Sequence, residues 1–284
     1  MIEQAQYKSQ FEREGYLLLR GLLPPNDLAG LMGRVEEAVD RRTRSLFDQG
    51  KITDLHENEP LAYRWQRVFE DMGGFQQRRS WDEDVISEEL FEIMRHSRVL
   101  DVLENLIGPE IIATGLIALR PKVPQDKRTT VLWHQDSHYF GQDSAAERIV
   151  TVWIPLVDAR EENGCMQVIP QSHDWGYVDA EIDPDHQAYK PIEDPETRGT
   201  PMSCEMDVGD VLIFGNLTLH RSLPNSSDHT RWSIDLRYHA PGIEFARSGE
   251  YIPGFLARSR SNPNDVNSWA AWNQRYRDSE IHTE

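Results

Sequence analysis

The sequence predicts a mainly β protein, an antiparallel sandwich or barrel, with a helical layer supplied by its N-terminal part. From Ile111 onward the chain breaks into short apolar runs of strand length, separated by turn residues such as Asn163-Gly164, Gly209-Asp210 and Gly215-Asn216. Upstream of that point, apolar residues recur at helical spacing, as in Leu28, Leu31, Met32, Val35 and Val39. The 284 residues, 38% hydrophobic with a mean hydropathy of -0.63, suit one water-soluble globular domain. Its expected parts are a helical region over about 1–110, a β core over about 111–240 and a C-terminal cover over about 241–284.

The elements follow from local chemistry. Tyr7 to Glu14 reads as a helix stopped by Gly15, and Tyr16-Leu17-Leu18-Leu19 as a buried strand. Pro24-Pro25-Asn26 opens the next helix, since proline suits a first helical turn, and Arg41-Arg42 closes it. Residues 46–84 look irregular, with Trp65 and Trp81 as isolated anchors. Helices are expected over 87–95 and 97–107, the second ended by Gly108-Pro109. Strands are expected over 111–119, 131–136, 149–155, 165–169, 203–206, 211–214, 217–220 and 231–238. Residues 174–200 form a long acidic segment of the kind used as a functional loop or insertion. Trp269, Trp272 and Tyr276 sit at helical spacing and predict a helix that covers the core.

Charge narrows the function. A formal net charge of -18 argues against nucleic acid, which needs a basic footprint, and against an anionic membrane surface. A small anionic substrate stays compatible, because one or two well-placed arginines suffice. The N-terminus lacks the features of a signal peptide, and no run approaches a membrane span, so the cytoplasm is the expected location. Cys165 and Cys204 fit two free thiols, with a single bridge the alternative. Nothing in the sequence sets an oligomeric state.

The sharpest local feature is Trp133-His134-Gln135-Asp136-Ser137-His138. On a strand, His134 and Asp136 would share a face, so an imidazole and a carboxylate could converge on one cation. A third ligand would complete the two-histidine, one-carboxylate set of iron(II) oxygenases. His220 stands at the end of a later strand candidate, and Arg231 follows it with Ser233 on the same strand face. A guanidinium beside a metal suits a dicarboxylate, which it can grip through two parallel hydrogen bonds. Arg231, Ser233, Asp235 and Arg237 form one face of that strand and Trp232, Ile234 and Leu236 the other. The polar face would line a lumen if helices cover the apolar one; a solvent-facing edge strand is the alternative.

These residues resemble the phytanoyl-CoA dioxygenase family of iron(II)/2-oxoglutarate oxygenases. The similarity runs from about Tyr7 to Tyr238. It includes the opening Phe11-Glu12-Arg13-Glu14-Gly15-Tyr16 and the metal motif through Phe140. It also takes in Asn163 to His173, and Gly209-Asp210 through His220, Asn225 and Arg231. The resemblance implies a double-stranded β-helix, or jelly roll, with helices outside. It implies His134, Asp136 and His220 as iron ligands, Arg231 with Ser233 on the distal carboxylate of 2-oxoglutarate, and Trp153 beside that co-substrate. His173 would be structural. His138 is a candidate substrate-facing residue, with a packed, hydrogen-bonded histidine the alternative. Arg78 and Arg79 could reach the site or stay solvated. The implied reaction uses 2-oxoglutarate and O₂ to hydroxylate a C–H bond of a small organic molecule. Asp136 stands where related halogenases carry a small residue, which favours hydroxylation. The rivals are a non-redox metal-dependent hydrolase, which leaves Arg231 unexplained, and a catalytically silent jelly-roll binding protein, which would not need the full residue set.

Overall fold

A computed structural model describes residues 2–74, 80–243 and 252–280. Arg78 and Arg79 lie outside the described residues. The chain begins with α1 (Ile2–Glu14), β1 (Tyr16–Leu19), α2 (Pro25–Asp48), α3 (Leu61–Asp71), α4 (Glu88–Met94) and α5 (Ser97–Ile107). Then come β2 (Glu110–Ala113), β3 (Ala118–Lys122), β4 (Val131–His134), the short α6 (Ser137–Phe140), β5 (Ile149–Pro155) and β6 (Met166–Val168). They are followed by β7 (Ala180–Asp183), β8 (Ala188–Pro191), β9 (Met202–Cys204), β10 (Val211–Gly215), β11 (His220–Ser222) and β12 (Arg231–His239), with β13 (Phe255–Ser259) and α7 (Trp269–Glu280) last.

The large antiparallel sheet runs β1-β10-β5-β12-β2-β13, with β3 also pairing β12, and the small sheet runs β4-β11-β6-β9. They make the double-stranded β-helix as two facing sheets rather than a closed barrel. Alternation along the central strands explains the layering. On β5, β10 and β12, Val150, Val152, Ile154, Val211, Ile213, Trp232, Ile234, Leu236 and Tyr238 enter the core shared with the helices. The alternate residues Trp153, Leu212 and Phe214 pack with Met166, Val168 and Cys204 between the sheets. All nine residues of β12 are therefore buried, although five of them are polar or charged. That is the signature of a strand covered on both faces. The polar face of β12 thus looks into the space between the sheets, and the edge-strand alternative is excluded.

Aromatic residues fasten the helical layer. Trp81 stands edge-on between Trp65 and Trp232, with ring centroids 4.6 and 5.2 Å away. Trp232 donates from Nε1 to the Leu61 carbonyl (3.3 Å), and the Tyr238 hydroxyl donates to that of Met94 (3.0 Å). Trp272 of α7 is fully buried in the same core and stacks on Phe91, so this face of α7 covers the helical layer and not the lumen.

Several elements depart from the sequence reading. The 46–84 stretch contains α3, whose Leu61, Trp65 and Val68 face the core. The strand expected over 111–119 is two strands, β2 and β3, because the chain turns between Ala113 and Ala118. The 174–200 segment contains the β7–β8 hairpin, and β13 pairs with β2. Residues 217–219 precede β11 instead of belonging to it. Cys165 and Cys204 are free and buried. Among the described residues no helix is long and apolar enough to cross a membrane.

Candidate active site

β4 and β11 are antiparallel neighbours in the small sheet, and their register sets His134 directly opposite His220. The imidazole centroids lie 4.1 Å apart. Each ring donates from Nδ1 to a backbone carbonyl two residues earlier, Leu132 (2.8 Å) and Thr218 (2.9 Å). That fixes the tautomer and leaves both Nε2 lone pairs aimed at one point. Asp136 closes the triangle: its Oδ1 lies 3.8 Å from His134 Nε2 and 3.7 Å from His220 Nε2. One donor atom from each residue falls within 4.8 Å of the others, and all three side chains are buried. Asp136 reaches this point by a different route from the one the spacing suggested. β4 ends at His134, and Asp136 has helical backbone angles at the N-terminus of α6.

The other carboxylate oxygen, Oδ2, accepts from the Thr151 hydroxyl and lies 3.7 Å from Arg237 Nε. Burial alone would raise the Asp136 pKa. Arg237 foremost, then His220 and His134, and last the Thr151 hydroxyl, outweigh it and hold the carboxyl well below the usual range. Burial holds both imidazoles below their ordinary value, so the metal-free donors are neutral at pH 7. Two neutral imidazoles and an ionised carboxylate are a donor set that fits iron(II).

Arg231 opens the inner face of β12. It is 2% exposed, and among the described residues it has no carboxylate within ion-pair distance. Nη1 donates to Ser233 Oγ and Nη2 to the Gly164 carbonyl (3.0 Å), while Nε has no partner. Burial pushes its pKa down to about 10, which still leaves it charged at neutral pH. The guanidinium carbon sits 5.1 Å from the centre of the Trp153 ring. Gly164 is required where it stands: φ is +85°, and a Cβ would lie 2.3 Å from Lys122 Cδ and 2.5 Å from the Leu223 carbonyl. The Asn163-Gly164 turn therefore serves to bring a carbonyl against Arg231.

His138 takes the packed alternative. Its Nδ1 accepts from the Gln135 amide (3.2 Å), its Nε2 donates to the Val178 carbonyl (2.8 Å), and the ring meets Tyr177 edge-on. Both nitrogens are committed within the protein. His173 is structural in its contacts: it reaches the Glu12 carbonyl at the end of α1 (3.1 Å) and abuts Gly15.

The structure adds residues that the sequence reading did not single out for the site. Thr151 is the one polar residue in an otherwise apolar β5, a signal that was available. Gln135 bonds the Gly176 and Leu217 carbonyls (2.8 and 2.7 Å) and accepts from the Val178 amide (2.8 Å), tying the approach to the β7–β8 hairpin to the triad. That hairpin brings Tyr189 against Tyr139, which in turn stands edge-on to His134. A cavity of about 900 Å³ opens elsewhere, beside the end of α3, and shares no residue with this site.

Comparison with known proteins places the chain in a family. A sequence profile described as phytanoyl-CoA dioxygenase matches residues 11–233. Phytanoyl-CoA dioxygenase domain-containing protein 1 of Danio rerio is 27% identical over 264 residues, covering 78% of this chain and 85% of that protein. A probable phytanoyl-CoA dioxygenase of Caenorhabditis elegans is 24% identical, covering 82% of this chain and 74% of the relative. Among solved structures, the epimerase SnoN in complex with Fe3+, alpha-ketoglutarate and nogalamycin RO superposes with a TM-score of 0.60 at 18% identity, covering 88% of each chain. At that identity the superposition speaks for the fold. The profile spans well over half of the chain: this protein belongs to the phytanoyl-CoA dioxygenase family of iron(II)- and 2-oxoglutarate-dependent oxygenases.

Proposed function

We propose that this oxygenase hydroxylates an unactivated C–H bond of a small organic molecule, converting 2-oxoglutarate and O₂ into succinate and CO₂. His134, Asp136 and His220 would hold the iron, which, with 2-oxoglutarate and O₂, supplies the oxidising equivalent for C–H cleavage. Arg231 would take the distal carboxylate of 2-oxoglutarate, with Ser233 holding the guanidinium in place and Trp153 forming the adjacent wall. The single observation that carries the reading is Arg231 itself. It is a fully buried guanidinium that, among the described residues, has an Nε without a hydrogen bond and no carboxylate within ion-pair distance, on the strand whose far end reaches Asp136. Such a charge calls for an anionic ligand. Thr151 and Arg237 would keep Asp136 Oδ2 occupied and so turn Oδ1 toward the metal.

Anaerobic titration with iron(II), with and without 2-oxoglutarate, tests the reading. A weak visible charge-transfer band that needs both components is expected, followed by one succinate per hydroxylated product in a substrate screen. Well-folded, iron-loaded protein without the band would return the site to a hydrolase or a binding module.

A further inference from the structure

Resting on the oxygenase reading, we infer that Arg120 is the docking point for a carboxylate of the substrate. Arg120 lies on β3 in register with Ser233 of β12, so it belongs to the same inner wall as Arg231. Its Nε donates to Asp235 Oδ2 (2.7 Å), and neither Nη has a protein partner among the described residues. The side chain is 32% exposed, whereas Asp235 is 8% and Arg237 6% exposed. With Arg231 given to 2-oxoglutarate, Arg120 is the most exposed arginine among those described on this wall.

The rest of the wall is organised around it. Asp235 Oδ2 is shared between Arg120 and Arg237 Nη2 (3.5 Å), and Arg237 reaches Asp136. Charges alternate from Arg120 through Asp235 and Arg237 to Asp136, and the chain ends at the metal triad. Asp235 holds Arg120 by one edge of the guanidinium and leaves the Nη edge free, with the parallel donors that suit a carboxylate. Arg237 Nε makes no hydrogen bond among the described residues and has only the 3.7 Å ion pair with Asp136 Oδ2, so its donor capacity is not used up.

The charge balance gives the sign of the missing group. Iron(II) and dianionic 2-oxoglutarate cancel. Arg120, Arg231 and Arg237 then face only Asp136 and Asp235, leaving one positive charge in excess. Lys122, in register with Arg231, and Asp82, bonded to the Leu119 amide beside Arg120, add one charge of each sign and leave the excess unchanged. A single excess charge on one free guanidinium edge matches a monoanionic carboxylate better than a phosphate. Because Asp235 and Arg237 bridge Arg120 to Asp136, a carboxylate there lies at a fixed offset from the metal and would select which carbon is oxidised.

The test uses benzoate and its neutral counterpart benzamide, added to anaerobic enzyme saturated with iron(II) and 2-oxoglutarate. Binding is read by calorimetry and by perturbation of the charge-transfer band. Wild type should bind benzoate in the millimolar range and benzamide at least ~10-fold more weakly. Arg120→Gln should abolish the preference, and Arg120→Lys, which keeps the charge but not the fork, should restore part of it. The 2-oxoglutarate half-saturation of both variants should stay within about twofold of wild type. With the band intact, equal binding of the two probes overturns the assignment, as does failure of benzoate to bind. Unchanged benzoate binding in Arg120→Gln overturns it too, and so does a 2-oxoglutarate requirement raised as in Arg231→Ala. Absence of the band in wild type is a separate result: it removes the oxygenase reading and this inference with it.

Discussion

Replacing Arg231 by alanine distinguishes an arginine kept for a ligand from one kept for the fold. Burial holds its pKa at about 10 against an ordinary 12.5. By linkage that is roughly 3 kcal/mol of desolvation carried by the protein before any ligand arrives. Its hydrogen-bond contacts without ligand are a hydroxyl and a carbonyl, and the field of Asp235 offsets the burial cost only in part. Two charge-assisted hydrogen bonds to 2-oxoglutarate are worth about 1.5–3 kcal/mol each. Taking the lower value for both, Arg231→Ala should raise the Kd for 2-oxoglutarate by roughly 100-fold or more. The metal-free variant should unfold at a temperature no lower than wild type, because a strained buried charge has been removed. Arg231→Lys should fall between the two, since it keeps the charge but loses the fork. Anaerobic titration of the charge-transfer band gives the affinity, and thermal unfolding of metal-free protein gives the stability. The reasoning fails if Arg231→Ala melts several degrees below wild type while its 2-oxoglutarate titration is unchanged, for then Arg231 is a structural residue.

Asp136→Ala should lose iron affinity by about 100-fold and also destabilise the metal-free fold, by roughly 3 kcal/mol, because among the described residues the buried Arg237 is left with only its 3.5 Å ion pair to Asp235, which Arg120 shares; metal equilibrium dialysis and urea denaturation measure the two effects separately. Thr151→Val should weaken iron binding by about 10-fold through loss of the hydroxyl on Asp136 Oδ2, and Thr151→Ser should preserve it. Unaltered affinity in Thr151→Val would remove that hydroxyl from the account. The pH dependence has a definite sign. His134, His138, His220 and His239 are all held below the ordinary imidazole value of 6.5 by burial. Below about pH 6.5 the unfolded chain binds protons that the folded chain refuses, so the stability of metal-free protein should fall as pH drops through 6.5 and stay flat above it, by up to ~1.4 kcal/mol per pH unit per histidine. Denaturation midpoints that rise or hold between pH 7.5 and 5.5 would contradict it.

The parts of the fold that were legible are those whose signal is local. α5 and β5 were bounded correctly because strong periodicity and a proline or glycine mark their ends. The cluster of His134, Asp136 and His220 was legible as residue types in order, although Asp136 reaches it otherwise than by strand alternation: it belongs to a helical turn and converges with His134 through α6. α3 was missed even though Pro60 precedes Leu61, Trp65 and Val68 at helical spacing, because Arg64, Arg67 and Glu70 interrupt the apolar run. The β7–β8 hairpin gave weaker signals still. Ile182 and Tyr189 are its only large apolar strand residues, and the positive φ in its turn falls on Gln187, so no glycine or asparagine announces it. Its position is fixed from a distance, by Gln135 and His138 bonding the 176–178 backbone, which no window on the segment itself can contain.

The charge pattern of the lumen shows why composition could not reach the substrate. A net charge of -18 describes the solvent-facing surface and says nothing about the inner wall, where arginines outnumber carboxylates. The alternation Arg231, Ser233, Asp235, Arg237 was visible in the sequence, but its meaning depends on what covers the other face. Trp232, Ile234, Leu236 and Tyr238 lie under α3, α4 and the Trp65–Trp81 pair, which turns the polar face from solvent to lumen. Arg120 carries no such hint, since Leu119-Arg120-Pro121 reads as an ordinary strand end. Only its pairing with Ser233 across β3 and β12 gives it a role. Reaction class in this protein is thus written in a few residue types at fixed spacing. On the inference drawn for Arg120, substrate preference would reside in which buried charges the sheet register brings together, and a single substitution at Arg120 probes it without touching His134, Asp136 or His220.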